Sequence, residues 1–492
     1  MTAAAAHALP DSLQLRKKHR GLIGVRSKMP IRDTSVLSRL YTPGVGACCL
    51  AIEEDDGLSF DLTCRGNNVA LVTDGSALFG LGDVPALAAL PMLESGSVLF
   101  KTFANIDAFP LAFDAKDADA VTELVRLITP SFGGVVLNDI TAPKCFSIEF
   151  QLRRSLTIPV LDTDQHATGI IVAAALLNAL KVVGKDLRSV KIVINGAGAS
   201  GTGTARRLLT LGAGNIVLCD TAGAIHPHRM ENMNWAKSLM ARRTNPERLV
   251  GSLEEVIRGS DVFIGLSTAN CMTSEMVRSM ADRPIVFALA LPTPEIGPEE
   301  AEAGGAAVYA AASDIHPVQI RSSTVSPGFM RGCLDARAKD INNAMFNAAV
   351  HATCAMVPEA RLSPLRILPD PLDLTRGPAV AEAVAQAAAD SGLAGETRAP
   401  GWISEKLYCF FYEGEGAWYE CSPQPRIKRG TGIDAESIEL HRKYQGCVGI
   451  QAKIPIRDDH IYSSLYSPRA AVDPAREIIA DPQAAYDYTA KN

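Results

Sequence analysis

The residues most ready for chemistry lie near the middle of the chain, where the run KIVIN leads into Gly196-x-Gly198-x-x-Gly201 and on into the helix-like stretch TARRLLTLG. Glycines at those positions permit a tight turn and bring backbone N–H groups at a helix N-terminus against a pyrophosphate. Asp220 ends the next apolar run roughly twenty residues on, placed to accept from a ribose 2′-OH. The expected ligand is a nicotinamide dinucleotide. Thr221 stands where an arginine would meet a 2′-phosphate, so NAD is favoured over NADP. His226 and His228 have metal-like spacing but no third ligand nearby, and read as a polar surface loop. His166, in DQHATG, reads as a cap on the following helix rather than a reacting group, and MTSEMVRSM (Met272–Met280) as helix packing.

These groups must be held by an α/β scaffold. From Val190 onward, KIVING, NIVLCD, DVFIGLS, PIVFALA and AAVYAA are short apolar strands separated by helix-length segments, the pattern of a parallel sheet covered on both faces. A doubly wound, Rossmann-like domain follows. Between Asn67 and about Glu149, the short apolar runs VALVTDG, SVLFKTF and GGVVLNDI alternate with turn residues and helical stretches, which predicts a second, mixed α/β domain. The Ala-rich stretch AVAEAVAQAAADSG predicts a helix ending near Gly392. The expected organisation is an N-terminal domain over 1–160, a dinucleotide-binding domain over 161–398, an aromatic-rich linker over 399–433 and an extension over 434–492.

That extension repeats the beginning of the chain. Residues 15–43 align without gaps on residues 440–468 with 13 identities in 29 positions, including Lys28/Lys453, Arg32/Arg457, Asp33/Asp458 and Tyr41/Tyr466. Composition excludes several functions. Among 492 residues, 48 Lys+Arg are scattered through 54 Asp+Glu, so no basic stripe offers itself to nucleic acid. Eleven cysteines without a C-x-x-C pair argue against a zinc cluster or disulfide framework and for reduced thiols in the cytoplasm. The opening residues lack a leader pattern, and the apolar run 170–180 stops at Lys181, short of the ~20 residues that span a bilayer.

Several longer stretches carry a family resemblance. LYTPGVG, NNVALVTDGSALFGLGDVPALAALP, VLFKTFANIDAFP, FGGVVLNDITAPKCF, IPVLDTDQHATGIIVAAALLNALKVVGK, VINGAGASGTG, FALALPTPEI and PGFMRGCLDARAKDIN resemble the short bacterial malic enzymes over roughly residues 15–393. The resemblance implies oxidative decarboxylation of malate with NAD(P) and Mg²⁺ or Mn²⁺, and an N-terminal arm that builds a homodimer or higher homo-oligomer. It places Tyr41 on the family's catalytic tyrosine. It places Asn138, Asp139 and Asp164 on the three metal-ligand positions, with Asn138 replacing a glutamate, which predicts weaker metal binding.

Three further positions depart from the family. Gly96 stands where the resemblance implies the basic lysine; read as one extended run, Lys101 lies roughly 17 Å away at ~3.3 Å per residue, on the opposite face. Leu291 replaces an asparagine implied to contact substrate. Arg321 and His316 appear in a lengthened loop, where Arg321 can grip a carboxylate and His316 can act as a base; a solvated loop is the alternative for Arg321. The expectation is a metal-assisted oxidoreductase acting on malate or a malate-like 2-hydroxy acid. A weakly active family member with a regulatory or assembly role, and a non-redox lyase retaining NAD, stand beside it. The repeat admits two readings: it presents Tyr466, Lys453 or Arg457 to a catalytic cleft, or it covers a surface and sets oligomeric state.

Overall fold

A computed structural model describes residues 3–413 other than Pro30 and Phe79. The repeat copy, and the extension over 434–492, lie outside the described residues. The chain divides into a body, Met1–Ser404, and a second unit, Glu405–Asn492, whose described part is the end of a helix, Trp402–Glu413.

Within the body, four strands form the first parallel sheet: β1 (Asn68–Thr73), β2 (Asp107–Ala112), β3 (Gly134–Leu137) and β4 (Val160–Asp162), in the order β2-β1-β3-β4. β1, β3 and β4 are buried throughout, which is why they read as unbroken apolar runs rather than alternating ones. The second sheet holds β5 (Lys191–Asn195), β6 (Asn215–Asp220), β7 (Gly223–Ala224), β8 (Val262–Gly265), β9 (Ile285–Ala288) and β10 (Val308–Ala311), in the order β10-β9-β8-β5-β6-β7. All its pairings are parallel except β6 with the short β7. The doubly wound expectation is met, with strands where the apolar runs placed them.

SVLFKTF is a correction. It is the second half of a helix, Ala86–Ala104, whose buried positions Ala86, Ala89, Leu93, Ser97, Phe100 and Ala104 recur every three or four residues. That period is helical, and the local apolar run hid it. Asn105, in the left-handed conformation (φ 48°), ends the helix and turns the chain into β2.

Two helical stretches are long and apolar enough to cross a membrane, Thr34–Glu54 and Thr163–Val183. The second is 72 % buried and is a core element of the body. In the first, among the described residues, neither helix, Thr34–Leu40 nor Val45–Glu54, has a buried residue.

Candidate active site

The carboxyl ends of the first sheet bring two acidic side chains together. Beyond β3, Asp139 adopts a left-handed backbone (φ 53°), and its N–H donates to Asp164 Oδ2 at 2.8 Å. Asp164 lies in the wide turn Thr163–Ala167 that follows β4. Asp162 caps that turn, accepting from the Gln165 N–H at 3.1 Å, so the cap is Asp162 and not His166. His166 instead meets the Glu149 carboxylate at 2.6 Å and stacks on Phe346 with ring centroids 4.3 Å apart.

The electrostatics show crowded acids. Burial, then the charges of Asp139 and Asp162, push the Asp164 carboxyl well above the ordinary range. Burial and the neighbouring Glu149 charge lift Asp162 to about 6. Burial also raises Glu149, but His166, Arg153 and Arg206 outweigh it and hold that carboxyl below its usual value. Carboxylates arranged this way favour a cation between them.

Asn138 completes the arrangement only in part. Its Oδ1 accepts from the Thr163 hydroxyl at 2.5 Å, while its Nδ2 is buried without a partner. Turning the amide over would keep the Thr163 bond and place an oxygen at the orphaned position. Among the described residues, no group of three or more His, Cys, Asp or Glu side chains is arranged to hold a metal. The donor set is therefore two carboxylates and one amide, oxygen ligands that suit Mg²⁺ or Mn²⁺ with reduced charge.

Gly96 lies on the Ala86–Ala104 helix, where an added Cβ would come within 2.9 Å of Leu71 Cδ2. The extended spacing to Lys101 is wrong for the same reason that SVLFKTF is not a strand: five helical residues rise only roughly 7.5 Å. Lys101 Nζ is committed to Asp107 at 2.9 Å. Sequence reasoning missed a different lysine. Lys144 pairs with the fully buried Asp74 at the end of β1, whose other oxygen accepts from Ser76 Oγ at 2.6 Å. Asp74 and Lys144 lie seventy residues apart, so no local signal joins them.

In the second sheet the glycine loop is sterically exacting. Gly196 has φ 120°, and a Cβ there would sit 2.3 Å from Leu266 O; one at Gly201 would sit 1.7 Å from Gly196 O. Gly198, by contrast, has open space beside it and precedes the helix Ala199–Thr210. Asp220 ends β6 as expected but is not free: it accepts from Arg229 and, at 2.7 Å, from Lys237. Burial raises its carboxyl, and these two cations outweigh that and hold it low.

Glu295, within PTPEI, has a role that no local sequence signal marks. Its carboxylate is fully buried and accepts from Ser267 N–H at 3.0 Å and Ala290 N–H at 2.9 Å, tying together the loops after β8 and β9. Glu295→Gln leaves one of those buried amides facing an NH₂ group. We expect a loss of about 2 kcal/mol, read as a lower urea midpoint at unchanged slope.

Tyr41 caps the Thr34–Leu40 helix and is 68 % exposed. Arg321 is exposed, although the turn that follows it, Ser322–Thr324, packs on the Thr163–Ala167 turn and the Ala86–Ala104 helix. His316 stands edge-on to Tyr309 at 5.0 Å; its Nδ1 accepts from Val318 N–H at 3.2 Å, and burial lowers its basicity.

Residues 23–153 match the family "Malic enzyme, N-terminal domain", and residues 166–389 match "Malic enzyme, NAD binding domain". The chain belongs to the malic enzyme family. It is 46 % identical over 396 residues to the bifunctional malic/malolactic enzyme of Bacillus subtilis, covering 80 % of this chain and 97 % of that one. It is 44 % identical over 381 residues to the NAD-dependent malic enzyme of Geobacillus stearothermophilus, covering 77 % of this chain and 79 % of the other. The crystal structure of the NAD-dependent malic enzyme of Thermotoga maritima superposes with a TM-score of 0.73 at 39 % identity, over 76 % of this chain and 98 % of that one. The malic enzyme of Pyrococcus horikoshii superposes at 0.77 with 35 % identity, over 80 % and 93 %. The malic enzyme fold thus accounts for both parallel sheets and for the two motifs at their carboxyl ends.

Proposed function

We propose that the chain is a cytoplasmic, NAD(P)-dependent oxidoreductase that oxidises and decarboxylates malate. One observation carries this reading: within a malic enzyme fold, a dinucleotide loop and the Asp139–Asp164 pair both occupy carboxyl ends of parallel strands, where open α/β sheets bind ligands. When bound, the dinucleotide takes a hydride from C2 and a divalent cation polarises the C2 oxygen. Asp139 and Asp164 hold that cation, with the Asn138 oxygen in the third position. Amides at the start of the Ala199–Thr210 helix receive the pyrophosphate. Arg321 clamps a substrate carboxylate, and Tyr41 protonates the carbon that loses CO₂.

Tyr41 acts across a homodimer interface. Its helix and the next leave Leu37, Leu40, Val45 and Leu50 exposed among the described residues. At the ribose end, Arg229 and Lys237 on one Asp220 leave a net positive charge, so NADP should be accepted beside NAD. Lys237→Met removes one of those two cations, leaving Arg229 to balance Asp220, and should move selectivity toward NAD by about tenfold, measured as the ratio of kcat/KM values.

Gly96 favours a second reading, a weakly active regulatory subunit, because no side chain is available at that point of the helix. Reduced-nicotinamide absorbance with malate and Mn²⁺, alongside thermal stabilisation by NAD and by Mn²⁺, separates the two. Stabilisation without turnover supports the regulatory reading; failure to respond to either ligand overturns both.

A further inference from the structure

The turn that carries Asp164 depends on side chains for its shape. Thr163–Ala167 is a wide helical turn, a rare form that recurs at functional sites. Both neighbours of Asp164 are anchored. On one flank, the Thr163 hydroxyl lies 3.2 Å from Leu137 O and 2.5 Å from Asn138 Oδ1, at the end of β3. On the other flank is Gln165, which is fully buried.

The Gln165 amide serves two carboxylates at once. Its Nε2 donates to Glu149 Oε2 at 3.0 Å and to Asp162 Oδ2 at 2.7 Å, while its backbone N–H donates to Asp162 Oδ1 at 3.1 Å. Both amide hydrogens are used, and both Asp162 oxygens are engaged. Of the two acids at this turn, Asp164 is the one with an oxygen to offer a cation, because its bond to the Asp139 N–H uses Oδ2. The Gln165 backbone has a separate task. Its carbonyl lies against the helix Ala199–Thr210, where a Cβ at Gly203 would come within 2.2 Å of Gln165 O. Arg206 Nη1, on the same helix, stands 3.5 Å from Gln165 Oε1, at the long end of a hydrogen bond.

We infer that Gln165 is a positioning residue for the cation: its side-chain amide, held between Glu149 and Asp162, fixes the backbone that presents Asp164 beside Asp139. The inference rests on the cation reading above. Its consequence is a division of labour within one residue. The side chain governs cation affinity through Asp164, whereas the backbone carbonyl seats the dinucleotide helix and needs no side chain to do so.

Calorimetric titration of the full chain with Mn²⁺, and separately with NADH, tests this. Gln165→Met keeps the unbranched length and removes the donors; Mn²⁺ should bind about tenfold more weakly, with NADH affinity within about twofold of the wild type. Gln165→Asn keeps an amide that is one methylene short of spanning both carboxylates, and should lose about threefold for Mn²⁺. It decides the question if the methionine variant does not fold. Undiminished Mn²⁺ affinity in the folded variants overturns the inference, and so do equal losses for Mn²⁺ and NADH, which a merely structural role would produce. Asp164→Asn separates this from the reading beneath it. A wild type that binds Mn²⁺ no better than Asp164→Asn overturns the cation reading and the inference together, whereas Mn²⁺ binding that needs Asp164 but not the Gln165 amide overturns the inference alone.

Discussion

Asp164→Asn should cut turnover on the order of 10³-fold while making the metal-free protein more heat-stable. The two effects have one origin. Asp164 is buried against Asp139 and Asp162, and its ionised form is disfavoured by all three circumstances. An asparagine removes the repulsion, and its Oδ1 can still accept the Asp139 N–H that Oδ2 now accepts at 2.8 Å. The same change deletes one of the two carboxylates proposed to hold the cation, and with it several kcal/mol of charge stabilisation at about 1.4 kcal/mol per decade of rate. Melting curves with and without Mn²⁺ report both: the variant should melt higher alone and gain nothing from Mn²⁺. An Mn²⁺-dependent rise equal to that of the wild type would show that the ion binds elsewhere.

Gly201→Ala should lower stability by about 3 kcal/mol and dinucleotide affinity at least ~100-fold, because the new methyl would sit 1.7 Å from Gly196 O. The clash is with backbone on both sides, between the end of β5 and the helix that begins at Ala199, so no rotamer relieves it. Gly198→Ala is the internal comparison. Nothing lies within 4 Å of its added carbon, so the apo protein should melt like the wild type even where the methyl meets a bound pyrophosphate. Equal melting temperatures for the two variants would mean that the loop rearranges freely.

Local patterns were enough for the strands of the second sheet. β5, β6, β8, β9 and β10 are buried on both faces, so each announces itself as an apolar run of the correct length. The same cue misled at SVLFKTF, where four consecutive residues look strand-like and only the longer three-and-four spacing from Ala86 reveals a helix. The glycine loop was legible because its geometry is set by residues a few positions apart.

The carboxylate site was legible only as a set of residue types. The resemblance carried by the sequence placed Asn138, Asp139 and Asp164 on metal-ligand positions, and the sequence determined that Gly96 brings no side chain and that Asp220 closes β6. Tertiary structure alone decided which of these groups meet. It seated Asp139 on Asp164, engaged the Asn138 oxygen with Thr163, gave Asp220 to Arg229 and Lys237, and left Tyr41 facing outward. The reason is range: strand and turn formation depend on neighbours within a few residues, whereas ion pairing and burial depend on atoms that only the packed sheets bring together.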